Sequence, residues 1–380
     1  MNYFRKLLLI LALTSLMPAM SMAQINAPRP PTLAAKGYLL IDFRSGRVLA
    51  EKNSEERLEP ASITKLMTAY AVFRAIKSGQ ISMEDEVLVS EKAWRTPGSR
   101  MFIEVGSRVS VEELLPGMIV QSGNDASVAL AEHVAGTEET FAEIMNQLAR
   151  ELGMTKTNYV NSTGLPDDNH FTSAKDISIL ATALIDEFPD YYQWYSQKQF
   201  TYNGITQGNR NSLLWRDESV DGMKTGFTES AGYCLVSSAE RQNMRLISVV
   251  LGTESPAARA SESQALLNYG FRFYESQMLW EEGEIVSSAR VWKGEQDEID
   301  LIVKEPVYVT IPRGTFEELE TRVTLPKQIM APVSDKTPVG QAIASVNGTD
   351  VATINIYSSI SVAEGGIIDA AWDEVLLWFE

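Results

Sequence analysis

Hydrophobic and polar positions change texture several times along the chain. Residues 1–23 begin with Arg5 and Lys6, run through the apolar stretch Leu7–Met17 and end on Ser21-Met22-Ala23. That order of basic, apolar and small residues predicts an export signal peptide cut before Gln24, because the apolar stretch is shorter than the ~20 residues a spanning helix needs. Residues 24–35 carry Pro28, Pro30 and Pro31 and predict an extended leader. Gly37–Phe43 and Arg47–Lys52 flank Arg44-Ser45-Gly46 and predict a β-hairpin.

Helical spacing follows. Leu66, Met67, Tyr70, Val72 and Phe73 recur at three and four residues within Ser62–Lys77, with Pro60 before and Gly79 after as boundary signals. Further helices are predicted over Val111–Ile119, Ala126–Ala135, Glu138–Leu152 and Ser173–Asp186. Gly222–Gly226, Tyr233–Ala239 and Met244–Leu251 read as strands. Strands at both ends with helices between imply an α+β domain, one antiparallel sheet covered by helices, over residues 36–276. Beyond Tyr274 come short Val-, Ile- and Thr-rich runs: Ile285–Val291, Ile299–Val303, Val307–Ile311 and Thr321–Leu325. Turn residues separate them, as in a small all-β sandwich domain over 277–364. Residues 365–380 hold a short candidate helix, Ile367–Phe379.

Composition narrows the function. With 380 residues, 44% of them hydrophobic, the chain can bury a large core in two domains. A net charge of −17 opposes nucleic acid, which demands a basic footprint. Cys234 is the only cysteine, so no intramolecular disulfide forms; it reads as a buried core residue. His133 and His170 are the only histidines, which removes multi-histidine zinc sites, and neither a catalytic metal nor a cofactor is expected.

Three short motifs carry candidate chemistry. Ser62-Ile63-Thr64-Lys65 opens the first helical stretch, where residues three apart share a face and the Lys65 amine can reach the Ser62 hydroxyl. A lysine desolvated near other cations can lose its proton and serve as a base, a role worth roughly 10²–10⁴ in rate. The helix start also leaves the Ser62 N–H free for an oxyanion. Alone, the spacing arises about once by chance in a chain of this length, and a helix-start serine with a surface lysine accounts for it. Ser122-Gly123-Asn124 precedes a helix, where a hydroxyl and an amide can relay a proton and bind a substrate amide, or simply cap the helix. Lys224-Thr225-Gly226 falls in a strand, where a lysine needs a partner or a cleft and Gly226 would admit a substrate backbone. An edge-strand lysine beside a turn is the plainer account of it.

In this order and setting, the motifs match the signature of serine β-lactamases and penicillin-binding proteins, with Gly123 in place of Asp. The chain resembles the D-alanyl-D-alanine carboxypeptidases of the low-molecular-mass penicillin-binding proteins. Pro60-Ala61-Ser62-Ile63-Thr64-Lys65-Leu66-Met67, Ser122-Gly123-Asn124-Asp125-Ala126 and Val220-Asp221-Gly222-Met223-Lys224-Thr225-Gly226 carry the resemblance, with the β domain and terminal segment. It implies a sheet with helices on both faces and an inserted helical cluster. By the same resemblance, Ser62 forms an acyl-enzyme, Lys65 is its base and Ser122 passes a proton to the leaving D-alanine. Asn124 would hold the acyl-side amide, Lys224 and Thr225 would meet the terminal carboxylate with Arg210 as a second cation at that end, and Gly226 would be part of the substrate-binding strand. The N–H groups of Ser62 and Phe227 would form the oxyanion hole. The implied substrate is the peptidoglycan stem peptide, β-lactams would acylate the same serine, and the setting would be the periplasm.

Some readings stay open at this level. An endopeptidase acting on crosslinks uses the same chemistry, and a wall-binding protein could keep the fold without it. A β-lactamase must deacylate quickly, yet Ser162–Thr172 holds no Glu-x-x-x-Asn pattern, so slow penicillin turnover is expected. His170 could join a Ser-His-Asp triad, but no Gly-x-Ser-x-Gly elbow accompanies it, and His133 sits inside a helical pattern as a structural residue. The terminal segment carries Ile367, Ile368, Trp372, Val375, Leu376, Trp378 and Phe379 beside Asp369, Asp373, Glu374 and Glu380. It is either a helix lying on a membrane, although such helices are usually rich in Lys and Arg, or one packed on protein.

Overall fold

The computed structural model describes residues 27–378, so the expected signal peptide lies outside the described residues. Five antiparallel strands form the central sheet: β1 (Gly37–Asp42), β2 (Val48–Lys52), β3 (Val220–Thr228), β4 (Gly232–Arg241) and β5 (Met244–Thr253). Their order is β2-β1-β5-β4-β3, which makes β3 an edge strand. Side chains alternate between the two faces of a strand. In β1, Leu39 and Ile41 enter one core while Tyr38 and Leu40 enter a second. Both faces are therefore covered, which is why β1 reads as an unbroken apolar run.

The first core holds the helical cluster. A single 3₁₀ turn, Ala61–Thr64, leads into helix α1 (Lys65–Lys77), so Ser62 lies in the turn and not in the helix expected over Ser62–Lys77. Lys65 through Phe73 are all buried, and this near-total burial makes α1 the centre of the cluster. Around it pack α2 (Val111–Ile119), α3 (Asn124–Ala135), α4 (Glu138–Glu151) and α5 (Ala174–Glu187). Ser110, Thr137 and Ser173 cap α2, α4 and α5 by accepting a backbone N–H, the usual role of such residues.

The second core is closed by α6 (Pro256–Phe273), a helix that the apolar pattern does not reveal. Ala260, Leu266, Leu267 and Phe271 are buried, but Ser, Gln, Asn and Arg between them dilute the periodicity. Ser255 as cap and Pro256 in the first turn are its local signals. Gly270 lets α6 approach the sheet, since a Cβ there would meet Leu246 Cδ1 at 2.5 Å and Leu40 Cδ2 at 3.1 Å.

The C-terminal part is all-β. Strands β6 (Tyr274–Trp280) and β9 (Val307–Pro312) pair, and a six-stranded sheet includes β7 (Ile285–Trp292), β8 (Glu298–Ile302) and β10 (Leu319–Thr324). Its longest hairpin, β11 (Pro338–Val346) and β12 (Thr349–Ser358), turns on Asn347-Gly348, both with positive φ, at 51° and 74°. That dipeptide is the strongest short hairpin signal, and the expected strands omitted it. The β1–β2 turn meets β9 through Ser45 Oγ and Thr310 Oγ1 at 2.6 Å, and Arg44 donates to the Tyr308 hydroxyl at 2.7 Å.

In the final helix, α7 (Ile367–Leu377), Asp373 turns inward while Glu374 stays exposed. Asp373 is buried and accepts the Lys293 N–H at 2.5 Å and the Arg290 guanidinium at 3.1 Å, while Glu374 pairs with the Lys293 ammonium. Trp372, Val375 and Trp378 face outward, 66%, 51% and 84% exposed. α7 thus meets the β domain through Asp373 and Glu374, while Trp372, Val375 and Trp378 stand exposed.

Candidate active site

A lysine buried beside a serine organises the cleft between the helical cluster and β3. From the first turn of α1, Lys65 Nζ donates to Ser62 Oγ at 3.0 Å, to Asn124 Oδ1 at 2.7 Å and to the Thr163 carbonyl at 2.7 Å. Three acceptors satisfy the three protons of an ammonium. Burial, then the charge of Arg210, bring the Lys65 pKa down to about 7. A base titrating there can take a hydroxyl proton near neutrality.

A second lysine mirrors the first. Lys224 Nζ, on β3, donates to Ser122 Oγ at 2.9 Å and to the Thr225 carbonyl at 3.1 Å. Its pKa is pushed well down by burial, with Lys65, Arg210 and Arg259 adding like-charge repulsion. Ser122 holds a left-handed φ of 67°, a conformation costing a non-glycine residue about 1–3 kcal/mol and usually retained for function.

Each neighbour has a physical reason. Asn124 is the first residue of α3, two residues earlier than the helix start expected, and its amide is engaged at both ends, since Nδ2 donates to the Pro97 carbonyl at 2.6 Å. Gly123 replaces Asp because the space is full: a Cβ would meet Asp125 Oδ1 at 2.9 Å and the Met101 N at 3.1 Å. Asp125 needs that place, for it accepts the N–H groups of Met101 and Phe102, each at 2.9 Å, and so pins the loop beside the cleft. Gly226 lines the cleft, and a Cβ there would also strike the Pro60 carbonyl at 2.9 Å and Ala61 Cβ at 3.2 Å. Glycine there lets the edge strand rest on the turn that carries Ser62.

His170 lies behind the turn. Its Nε2 pairs with Thr64 Oγ1 at 2.8 Å and its Nδ1 accepts the Val160 N–H at 3.2 Å, and burial pulls its pKa down to about 4. Both nitrogens are occupied away from Ser62, which rules out the triad considered from sequence. His133 faces Asp85 at 3.1 Å and does not line the cleft.

The cleft encloses about 450 Å³, and its lining includes Ser62, Ser122, Asn124, Arg210, Thr225 and Phe227. Among the described residues no Asp or Glu lines it. Hollows of about 760 and 550 Å³ lie by the β domain, but among the described residues no lysine donates to a serine hydroxyl in either, so size does not locate the chemistry. The motif residues therefore converge on one place from helix, loop and strand. Arg210 lines the same cleft with its side chain exposed.

A family profile described as D-alanyl-D-alanine carboxypeptidase matches residues 24–255, and one for the C-terminal domain of penicillin-binding protein 5 matches 274–364. The chain belongs to the D-alanyl-D-alanine carboxypeptidase family. It is 42% identical to the carboxypeptidase DacC of Escherichia coli, over 92% of this chain and 89% of that one. Against DacA of Haemophilus influenzae the identity is 41%, covering 92% and 90%. The crystal structure of penicillin-binding protein 5 from H. influenzae superposes with a TM-score of 0.86 at 40% identity, covering 89% of this chain and all 100% of that one. This carboxypeptidase is accordingly a serine hydrolase with an appended β domain.

Two contributors to its cleft escaped the sequence reading. Thr163 supplies a carbonyl to Lys65, and its loop is held by buried Glu138, which accepts the Ser162 N–H at 3.0 Å and hydroxyl at 2.8 Å. Arg259 reaches the cleft from α6. Neither belongs to a motif, and the helix that carries Arg259 was itself unread.

Proposed function

We propose that this D-alanyl-D-alanine carboxypeptidase works through an acyl-enzyme on Ser62. Neutral Lys65 takes the Ser62 proton, and Oγ attacks the carbonyl of the penultimate D-alanine of a peptidoglycan pentapeptide. The Ser62 and Phe227 N–H groups receive the oxyanion, where each donor is worth ~10²–10³ in rate. Ser122, linked to Lys224, passes a proton to the leaving nitrogen as the C–N bond breaks and D-alanine departs. Lys224, Thr225 and Arg210 hold the terminal carboxylate, a fitting task for cations in a cleft without carboxylates. Asn124 steadies Lys65 and offers its amide to the acyl side. Water then hydrolyses the ester. β-Lactams open on the same serine, and no carboxylate in the cleft is placed to speed their release.

The observation that carries this reading is the Lys65 hub, 3.0 Å from Ser62 Oγ with its pKa near 7. Mass spectrometry after penicillin treatment tests it, with one adduct expected on the Ser62 peptide and none in Ser62→Ala. D-Alanine release persisting in that variant would refute it.

The domain plan of 36–276 for catalysis, 277–364 for the β unit and 365–380 for surface contact belongs to the same proposal. The signal peptide of residues 1–23 would export the chain to the periplasm, and the outward Trp372, Val375 and Trp378 would lie on the outer face of the inner membrane. Burial of Asp373 and pairing of the exposed Glu374 with the Lys293 ammonium weaken the charge objection to that contact. Sedimentation with phospholipid vesicles should capture the full chain and not a form ending at Gly366; equal capture of both would sink the idea.

A further inference from the structure

Arg259 stands where a cation is least expected. It occupies the first turn of α6, its N–H bonding the Ser255 carbonyl at 3.1 Å, so the positive end of the helix dipole faces its charge. The residue is only 8% exposed, and among the described residues it pairs with no carboxylate. Buried unpaired charge is costly and persists where it serves function.

The guanidinium goes instead to backbone. One nitrogen donates to the Gly226 carbonyl at 3.2 Å, and another lies 3.5 Å from the Arg210 carbonyl. Its Cζ sits 5.6 Å from the Tyr233 ring centroid, and Tyr233 in turn stacks on Phe227 with ring centroids 4.2 Å apart. The Gly226 carbonyl belongs to the same peptide unit as the Phe227 N–H. That unit is trans, so its carbonyl and N–H point in opposite directions. Holding the carbonyl from the α6 side aims the N–H away from α6. A charge-assisted bond is roughly twice as strong as a neutral one, and it polarises the amide so that its N–H donates more strongly.

We propose that Arg259 is a positioning residue for the oxyanion hole: it fixes and polarises the Gly226–Phe227 peptide so that the Phe227 N–H is aimed at the developing oxyanion. The assignment rests on the reading of Phe227 N–H as an oxyanion donor. It makes Arg259 act through another group, without touching substrate.

The test uses the full chain, with rates normalised to the Ser62 sites that penicillin labels. In Arg259→Gln, acylation should slow roughly 10- to 100-fold, short of the ~10²–10³ lost with a whole donor, while pentapeptide KM stays within about threefold. Arg259→Lys, which keeps the charge at a less favourable geometry, should recover part of the rate. The infrared band of the penicilloyl ester carbonyl should move to higher wavenumber in Arg259→Gln, a change that a fault in packing elsewhere would not produce. An unshifted band with acylation within about twofold of the parent would overturn the proposal, as would a loss confined to KM, which would make Arg259 a carboxylate ligand. A parent adduct on any serine but Ser62 would remove the underlying reading as well, and is distinguished from failure of the Arg259 assignment by the peptide map.

Discussion

The acidity of Lys65 sets a pH profile that can be worked out in advance. An ordinary lysine titrates at 10.5, whereas burial and Arg210 bring Lys65 to about 7. At pH 7 roughly half the enzyme then carries a neutral amine, against roughly one molecule in three thousand without the shift. That gain of about three powers of ten is of the size general-base help supplies. From pH 8 to pH 5 the neutral fraction of a group titrating near 7 falls roughly ninetyfold. The acylation rate with penicillin, measured by stopped flow in excess drug, should fall by that factor with a slope of one below the midpoint. Penicillin keeps its own carboxylate ionised throughout this range, so the limb belongs to the enzyme. Lys65→Arg preserves charge but cannot release its proton, and should lose ~10²–10⁴ at all these pH values. A flat profile between pH 5 and 8, or an active arginine variant, would refute the assignment of Lys65 as base.

The same depression bears on stability. The folded pKa lies below the unfolded one, so between about 7 and 10.5 the unfolded chain holds the extra proton and stability rises with pH. Below that window the full cost applies, about 5 kcal/mol at 1.36 kcal/mol per pH unit; urea midpoints should climb from pH 7 to 10, and the climb should shrink in Lys65→Met. Gly226→Ala drives a Cβ to 2.9 Å from the Pro60 carbonyl, so β3 must part from the Ser62 turn. It should cost about 1–3 kcal/mol by overpacking and slow acylation at least about tenfold, read by denaturation and penicillin labelling. His170→Phe leaves the Val160 N–H without its acceptor, at about 1–3 kcal/mol, and should leave the midpoint of the pH profile in place. Because no carboxylate lines the cleft among the described residues, penicilloyl-enzyme should accumulate to one per chain before any steady hydrolysis is seen.

What could be read from sequence was what is local or periodic. Ser62 and Lys65 are three residues apart, close enough for one turn of chain to bring them together, and the flanking strands announce themselves by apolar runs. Asn347-Gly348 is equally local, a turn signal between β11 and β12. Other features have no local form. The sequence suggests that Gly226 makes room for substrate; a second demand on it, from Pro60 and Ala61, comes from more than 160 residues earlier in the chain. Asp373 reads as the polar face of a membrane helix and is in fact the latch that binds that helix to Lys293 and Arg290. Arg259 lies in a helix of diluted periodicity, and its partner is a backbone carbonyl, which no residue pattern can specify. Ser62, Lys65, Ser122, Asn124, Lys224 and Thr225, proposed to touch substrate or its proton, are those that spacing reveals, because a reaction fixes their chemical type, whereas Arg210 and Phe227 come from the family resemblance alone. The groups that hold them are selected by tertiary approach, where any residue of the right reach serves. Positioning residues in such a cleft are therefore to be sought among buried charges without charged partners, and Arg259 meets that criterion where Arg245, paired to Asp221 at 2.6 Å, does not.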